Sequence, residues 1–339
     1  SILIFQTGHL LFFTMANVTA AVRLMTRPAA HFSAVSRCVN NPQPARHAEI
    51  FAEVRERLFE AYVRRTPSFV KAVELLTARG GEIHNDHMAL RSFVDSQGRS
   101  GLKFFETIFQ HFGYAAQEPL VIPGLCVNAR WYEPPEETNW PKIFVSEMRI
   151  QELPSTAAEV LFRHVDGYYD TAKAEAALGD AVQVADLLET PPWNPTVQEM
   201  QTLRGMAAEP GMGNALEYAS WTLTHGHRIN HVTILLNTLG IQGVNTLADL
   251  NALLQSEGLV FNPASGSDGL TQGSPAVSLE QSSTMADVVP HRFSCGTEEV
   301  LPCSFLELIQ RHSGFPGFLG QNAKGIFAST NARSATAGL

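Results

Sequence analysis

The sequence predicts an α+β fold in which a βαβββ unit occurs twice, with helices before the first copy and a helical insertion between the two. Three observations point there. Strand-type and helix-type periodicities follow one another in the order strand, helix, strand, strand, strand, and do so twice. Each copy opens on a strand in which a histidine follows a polar residue, Asp86-His87 and Asn230-His231. The composition, 45% hydrophobic and 17% charged over 339 residues, is that of a globular chain with ample core.

The elements follow in chain order. "EIFAEVRERLFEAYVRR" places Ile50, Val54, Leu58 and Tyr62 on one helical stripe. A second helix begins at "TPSFVKAVELL", with Thr66 as N-cap and Pro67 at its first position, and ends at Gly80 and Gly81. The strand "EIHNDHMALRSF" comes next. It is followed by the helix "GLKFFETIFQHFG" and the strands "PLVIPG", "CVNARWYEP" and "KIFVSEMRI". A helix-rich stretch from 155 to 224, broken by Pro191, Pro192 and Pro195, has "DTAKAEAALGDAVQVADLL" as its clearest helix. The second copy reads "HRINHVTILLN", the helix "TLADLNALLQSEG" capped by Thr246, then "AVSLEQSS", "VVPHRFSCG" and "LPCSFLELIQRHSGFPGF". The expected organisation is an N-terminal extension 1–47, helices and first module 48–153, insertion 154–226, second module with a C-terminal helix 227–330, and tail 331–339.

Charge and cysteine usage narrow the function. The net charge is −9 and no long Lys/Arg run occurs, which argues against a nucleic-acid partner. Cys38, Cys126, Cys295 and Cys303 show no close spacing and read as reduced thiols of an intracellular compartment. The first 48 residues contain neither Asp nor Glu but include Arg23, Arg27, Arg37 and Arg46, the composition of an organellar transit segment beginning at Met15. The apolar stretch before Met15 is too short for a membrane span, so no membrane partner is expected. Oligomeric state is left open.

Glu307 interrupts the apolar run Phe305, Leu306, Leu308, Ile309. A buried unpaired carboxylate costs several kcal/mol, so it must face solvent, pair with an arginine or bind a metal. Alternation puts His87, Ala89 and Arg91 on one side of their strand, and His231, Thr233 and Leu235 on one side of its counterpart. If the modules pack as a pseudo-symmetric pair, His87 and His231 meet, and Glu307 completes a two-imidazole, one-carboxylate set. That set suits non-heme Fe(II), and it equally suits a catalytic zinc. His84, His225, His227 and His291 compete as ligands. Glu147 poses the same question as Glu307, and Arg91 is a possible structural partner for either.

The C-terminal stretch resembles 4-hydroxyphenylpyruvate dioxygenases, of the vicinal oxygen chelate fold. The matching text is "FLELIQR" (305–311), then "GFLGQNAKGIF" (317–327), with Gly317, Phe318, Gly320, Asn322 and Phe327 in register. That family carries its metal-binding glutamate in the first segment and closes its site with a helix in the second. Its substrate-clamping phenylalanine is Ala323 here, which points to an aliphatic 2-oxo acid. From Glu49 to Thr330 the chain resembles the 2-oxoadipate dioxygenase/decarboxylases, on "HMALR" (His87 to Arg91) and "NHVT" with His231. The resemblance implies an open barrel around Fe(II) bound by His87, His231 and Glu307. It implies Arg91 as the catalytic and substrate-binding arginine. The reaction implied turns 2-oxoadipate and O2 into 2-hydroxyglutarate and CO2 in lysine catabolism, in a plastid rather than a mitochondrion. Arg130 is a second candidate cationic contact, expected instead to be structural or stacked on Trp131, and Gln310 and Arg311 are expected to orient their strand rather than do chemistry. The readings that compete with this are a zinc hydrolase or isomerase of the same fold and a non-enzymatic organellar factor.

Overall fold

The computed structural model describes residues 2–6, 9–13, 19–23, 42–122, 124–136, 138–207 and 211–331. Most of the expected leader lies outside them. Within it, β1 (Ile2–Gln6) pairs antiparallel with β2 (His9–Phe13), and a helical turn at 19–23 buries Ala21 and Val22.

Helices α1 (Pro42–Arg65) and α2 (Pro67–Ala78) lead into the first module. Val54, Leu58 and Tyr62 of the expected α1 stripe are fully buried, Ile50 is only half-buried, and Phe51 beside it is buried in its stead. Thr66 does not cap α2 with its side chain; its hydroxyl turns back and donates to the Tyr62 carbonyl at 2.8 Å. The module consists of β3 (Asn85–Val94), α3 (Gly101–His111), β4 (Ala115–Ile122), β5 (Val127–Glu133) and β6 (Lys142–Arg149). Glu147, the second carboxylate inside an apolar strand, accepts from the Ser100 hydroxyl and the Leu102 amide at the start of α3. It therefore satisfies helix N-terminal donors, a contact of the kind worth ~1 kcal/mol.

Helices α4 (Ser155–Val165), α5 (Thr171–Ala177), α6 (Ala181–Glu189), α7 (Val197–Met206) and α8 (Gly213–His225) follow. The sequence reads α5 and α6 as one helix; the chain breaks between them. Asp180 has extended backbone and its side chain accepts from the Val182 and Gln183 amides, starting a new helix. The second module is β7 (His231–Leu235), α9 (Leu247–Ser256), β8 (Gln272–Ser274), β9 (Leu279–Ser283), the hairpin β10 (Val288–Arg292) and β11 (Glu298–Pro302), β12 (Phe305–Arg311) and α10 (Gly320–Ile326). Thr246 caps α9 in a reciprocal capping box with Asp249.

One sheet holds eight strands in the order β4-β5-β6-β3-β7-β12-β9-β8. The two modules mirror each other about the β3–β7 junction: β3-β6-β5-β4 on one side, β7-β12-β9-β8 on the other. One strand expectation is corrected. The segment 288–296 does not enter this sheet but pairs only with β11, as a separate two-stranded ribbon. The ribbon packs on the helical insertion, through the Ser294 amide on the Pro195 carbonyl and Arg204 on Glu299. Its place in the sheet is taken by the short β8. No helix among the described residues is long and apolar enough to cross a membrane.

Candidate metal centre

The register of the three central strands decides which side chains meet. In antiparallel β3 and β7, Ala89 stands opposite His231. Because alternate residues share a face, His87, two positions before Ala89, lies on the His231 side. In parallel β7 and β12, Glu307 stands opposite Thr233, two positions after His231, and so projects to that side as well.

The result is a compact cluster. Glu307 Oε2 lies 3.0 Å from His231 Nε2 and 3.6 Å from His87 Nε2. His87, His231 and Glu307 are the one group of three or more His, Cys, Asp or Glu among the described residues whose ligand atoms converge, all within 4.8 Å of one another. All three are buried. The competing histidines are elsewhere: His84 is bound to Thr238, His225 to the Pro302 carbonyl, His227 to Tyr169, and His291 sits on the side ribbon.

The surrounding hydrogen bonds suit a metal. His87 Nδ1 bonds Asp86 Oδ1 at 2.8 Å, and His231 Nδ1 bonds Asn230 Oδ1 at 3.0 Å. Both acceptors hold the proton on Nδ1 and leave Nε2 of each ring toward Glu307, that of His87 lying also 3.1 Å from the Thr233 hydroxyl. The Gln281 amide donates to Glu307 Oε1 at 2.6 Å, leaving Oε2 toward the imidazoles. Three inward-facing lone pairs, each backed by a second contact, are the donor set a divalent cation requires.

The electrostatics agree. Burial alone raises the Glu307 carboxyl, but the two imidazoles outweigh it and hold it at about 2. Burial lowers His87, yet Glu307 and Asp86 together raise it. His231, backed by a neutral amide instead of a carboxylate, stays lowered by burial. Burial likewise opposes the ionised form of Asp86, and the hydrogen bonds from Arg311 and His87 reverse this. The cluster attracts positive charge; a divalent ion supplies it without protonating the ligands.

A cavity opens on the cluster, walled by Phe144, Gln281, Phe318, Ala323, Ile326 and Phe327. The Phe318 ring meets His87 edge-on at 4.7 Å. Ala323 does line this cavity, where the resemblance places an aromatic clamp.

Arg91 does not pair with Glu147 or Glu307. It is buried, boxed by the rings of Tyr218, Trp221 and Phe327 at 4.9, 4.7 and 4.9 Å. Nη2 reaches Thr330 at 3.3 Å, while Nε and Nη1 have no hydrogen-bond partner among the described residues. Burial lowers its pKa to about 10. Phe327 borders both the guanidinium and the cavity. A buried guanidinium with unpartnered donors has the chemistry to pair with a carboxylate. Arg130, by contrast, pairs with Glu106, and Gln310 bonds the Leu247 amide and the Asn245 carbonyl.

Gln281, Tyr218 and Trp221 are neighbours of the site that the sequence did not single out, whereas Phe327 falls in the segment expected to close it. Asp86 and Asn230 had a signal, each a polar residue directly before its histidine.

The comparisons with known proteins meet this geometry. The profile of the 2-oxoadipate dioxygenase/decarboxylase family matches residues 49–314. A chloroplastic 2-oxoadipate dioxygenase/decarboxylase of Arabidopsis thaliana is 28% identical over 77% of this chain and 68% of its own length. A chloroplastic/amyloplastic one of Oryza sativa subsp. japonica is 28% identical over 83% of this chain and 79% of its own. The crystal structure of the hydroxyglutarate synthase from Oryza sativa in complex with 2-oxoadipate superposes with a TM-score of 0.70 at 25% identity, covering 87% of this chain and 96% of that one. On the extent of the family match, this chain belongs to the 2-oxoadipate dioxygenase/decarboxylase family.

Proposed function

We propose that this protein is an Fe(II)-dependent dioxygenase that decarboxylates 2-oxoadipate and yields 2-hydroxyglutarate, a step of lysine catabolism placed in the plastid. The observation that carries the reading is the buried His87–His231–Glu307 set, open to a cavity whose wall adjoins the unpaired Arg91. Two imidazoles and a carboxylate on one side suit Fe(II) and leave room for a chelating 2-oxo acid and O2. Iron, when bound, supplies a Lewis acid for the 2-oxo acid and a redox centre for O2. The overall change balances: one oxygen atom enters the new carboxylate, the other the hydroxyl, and the original C1 carboxylate leaves as CO2.

The chain's own residues provide the rest. His87 and His231 would hold the metal through Nε2 and Glu307 through Oε2, with Asp86, Asn230 and Gln281 fixing their orientation. Phe144, Phe318, Ile326 and Phe327 keep bulk water from the reacting atoms. Arg91 would pair with a carboxylate of the dicarboxylic acid and so hold its chain in one position along the cavity. The small Ala323 leaves space for an aliphatic chain.

The test is an assay of anaerobically Fe(II)-loaded protein, mixed with 2-oxoadipate in air. O2 uptake, CO2 and 2-hydroxyglutarate are expected in equal amounts, and all vanish in H87A, H231A and E307A. An iron-loaded protein that consumes no O2 with 2-oxoadipate removes the substrate assignment.

A further inference from the structure

We propose that Arg311 is a positioning residue of the metal centre: by clamping Asp86 it fixes His87, so the strand supplying Glu307 also orients the histidine supplied by the other module. This rests on His87, His231 and Glu307 being the ligands.

Arg311 lies four residues beyond Glu307 on β12. Its Nε and Nη2 donate to Asp86 Oδ2 and Oδ1, each at 2.7 Å. Asp86 Oδ1 is the atom that also accepts from His87 Nδ1 at 2.8 Å. Strands β3 and β12 are not neighbours, since β7 runs between them. The ion pair therefore spans β7 and joins the two modules directly. The third nitrogen of Arg311 is engaged as well: Nη1 donates to the carbonyls of Phe315 and Gly317 at 3.2 and 2.8 Å. This places Phe318, whose ring lies 5.2 Å below the guanidinium and meets His87 edge-on. Arg311 thus constrains the imidazole on two sides, through the carboxylate at Nδ1 and through the ring packed against it.

His231 has no equivalent clamp. Its Nδ1 partner is the neutral Asn230, whose own Nδ2 finds no partner. The two imidazoles are therefore inequivalent ligands. A carboxylate behind the N–H makes the ring a stronger donor and fixes its angle. A bidentate fork gives Asp86 a single orientation, which a lysine's point charge cannot do.

The test is Co(II) titration of the metal-free protein, reading the dissociation constant and the visible d–d band. D86N and R311M should each weaken Co(II) binding by roughly 10- to 100-fold, the usual effect of losing an outer-shell partner, and shift the band. R311K should recover part of the loss. Because Arg311 acts chiefly through Asp86, the double variant should lose clearly less than the sum of the two single losses. A merely structural arginine would lower the thermal stability of the metal-free protein and leave both the constant and the band alone. A folded R311M with wild-type constant and band, or additive losses, overturns the proposal. If R311M does not fold, D86N and R311K decide, and wild-type values in both overturn it. H87A and E307A are the control: if they keep wild-type Co(II) affinity, the ligand assignment itself is at fault.

Discussion

His231 Nε2 lies 3.0 Å from Glu307 Oε2, across adjacent parallel strands and two register positions apart. Two buried ligand-type atoms at that separation are bridged by a proton or by a cation. Replacing Glu307 by alanine removes the sole anion between the imidazoles. Metal binding should fall beyond the ~10- to 100-fold that an outer partner costs, measurable by titration with Co(II) or Zn(II).

Arg91 is expected to trade stability for function. Its charge is buried with two nitrogens unpartnered, an arrangement that costs folding free energy. R91M fills the same aromatic box without a charge. The metal-free variant should melt at a higher temperature than the parent protein and keep its metal affinity. Its kcat/KM for 2-oxoadipate should nonetheless fall by roughly 10- to 100-fold or more, since charged hydrogen bonds of this type contribute about 1.5–3 kcal/mol. A destabilised R91M with normal turnover would remove Arg91 from substrate binding.

Asp287 supplies a pH signature away from the metal. It is buried, it accepts from the Ser68 amide and hydroxyl at the start of α2, and burial pushes its carboxyl up to about 7. The folded state then holds this proton more tightly than the unfolded chain. Its contribution is complete below about pH 4 and is lost as pH rises through about 7. D287N should therefore show a flatter stability profile between these limits. At pH 7.5 it should gain up to about 4 kcal/mol relative to the parent protein, read by urea unfolding of the metal-free form.

Much of this was legible in the chain. Strand alternation and the matched positions of His87 and His231 were enough to bring the two imidazoles together, because a strand's faces follow from its period alone. Glu307 stood out for the same reason, as a carboxylate where only apolar side chains fit. Contacts that span the chain were not legible. Tyr218 and Trp221 lie within the helical insertion, and only the fold brings them to Arg91. The Arg311–Asp86 pair joins residues 225 positions apart. The ribbon at 288–302 shows the limit for strands: periodicity identifies a strand but not the sheet it joins. The break at Asp180 was a local signal passed over, a helix N-cap residue directly after Gly179.

Ala323 lines the cavity beside Phe318 and Phe327. A323F would refill the position of the aromatic clamp. It should raise KM for 2-oxoadipate severalfold or abolish turnover, while Co(II) affinity stays at the parent value. An unchanged KM would place the substrate away from this wall.

The most direct measurement is product analysis with 2-oxoadipate under ¹⁸O2, using protein loaded anaerobically with Fe(II) and, in parallel, with Zn(II). The account predicts 2-hydroxyglutarate carrying two ¹⁸O atoms, one CO2 per O2 consumed, and no turnover with zinc. Turnover by the zinc form without O2, or hydroxyglutarate lacking ¹⁸O in its hydroxyl, would contradict it.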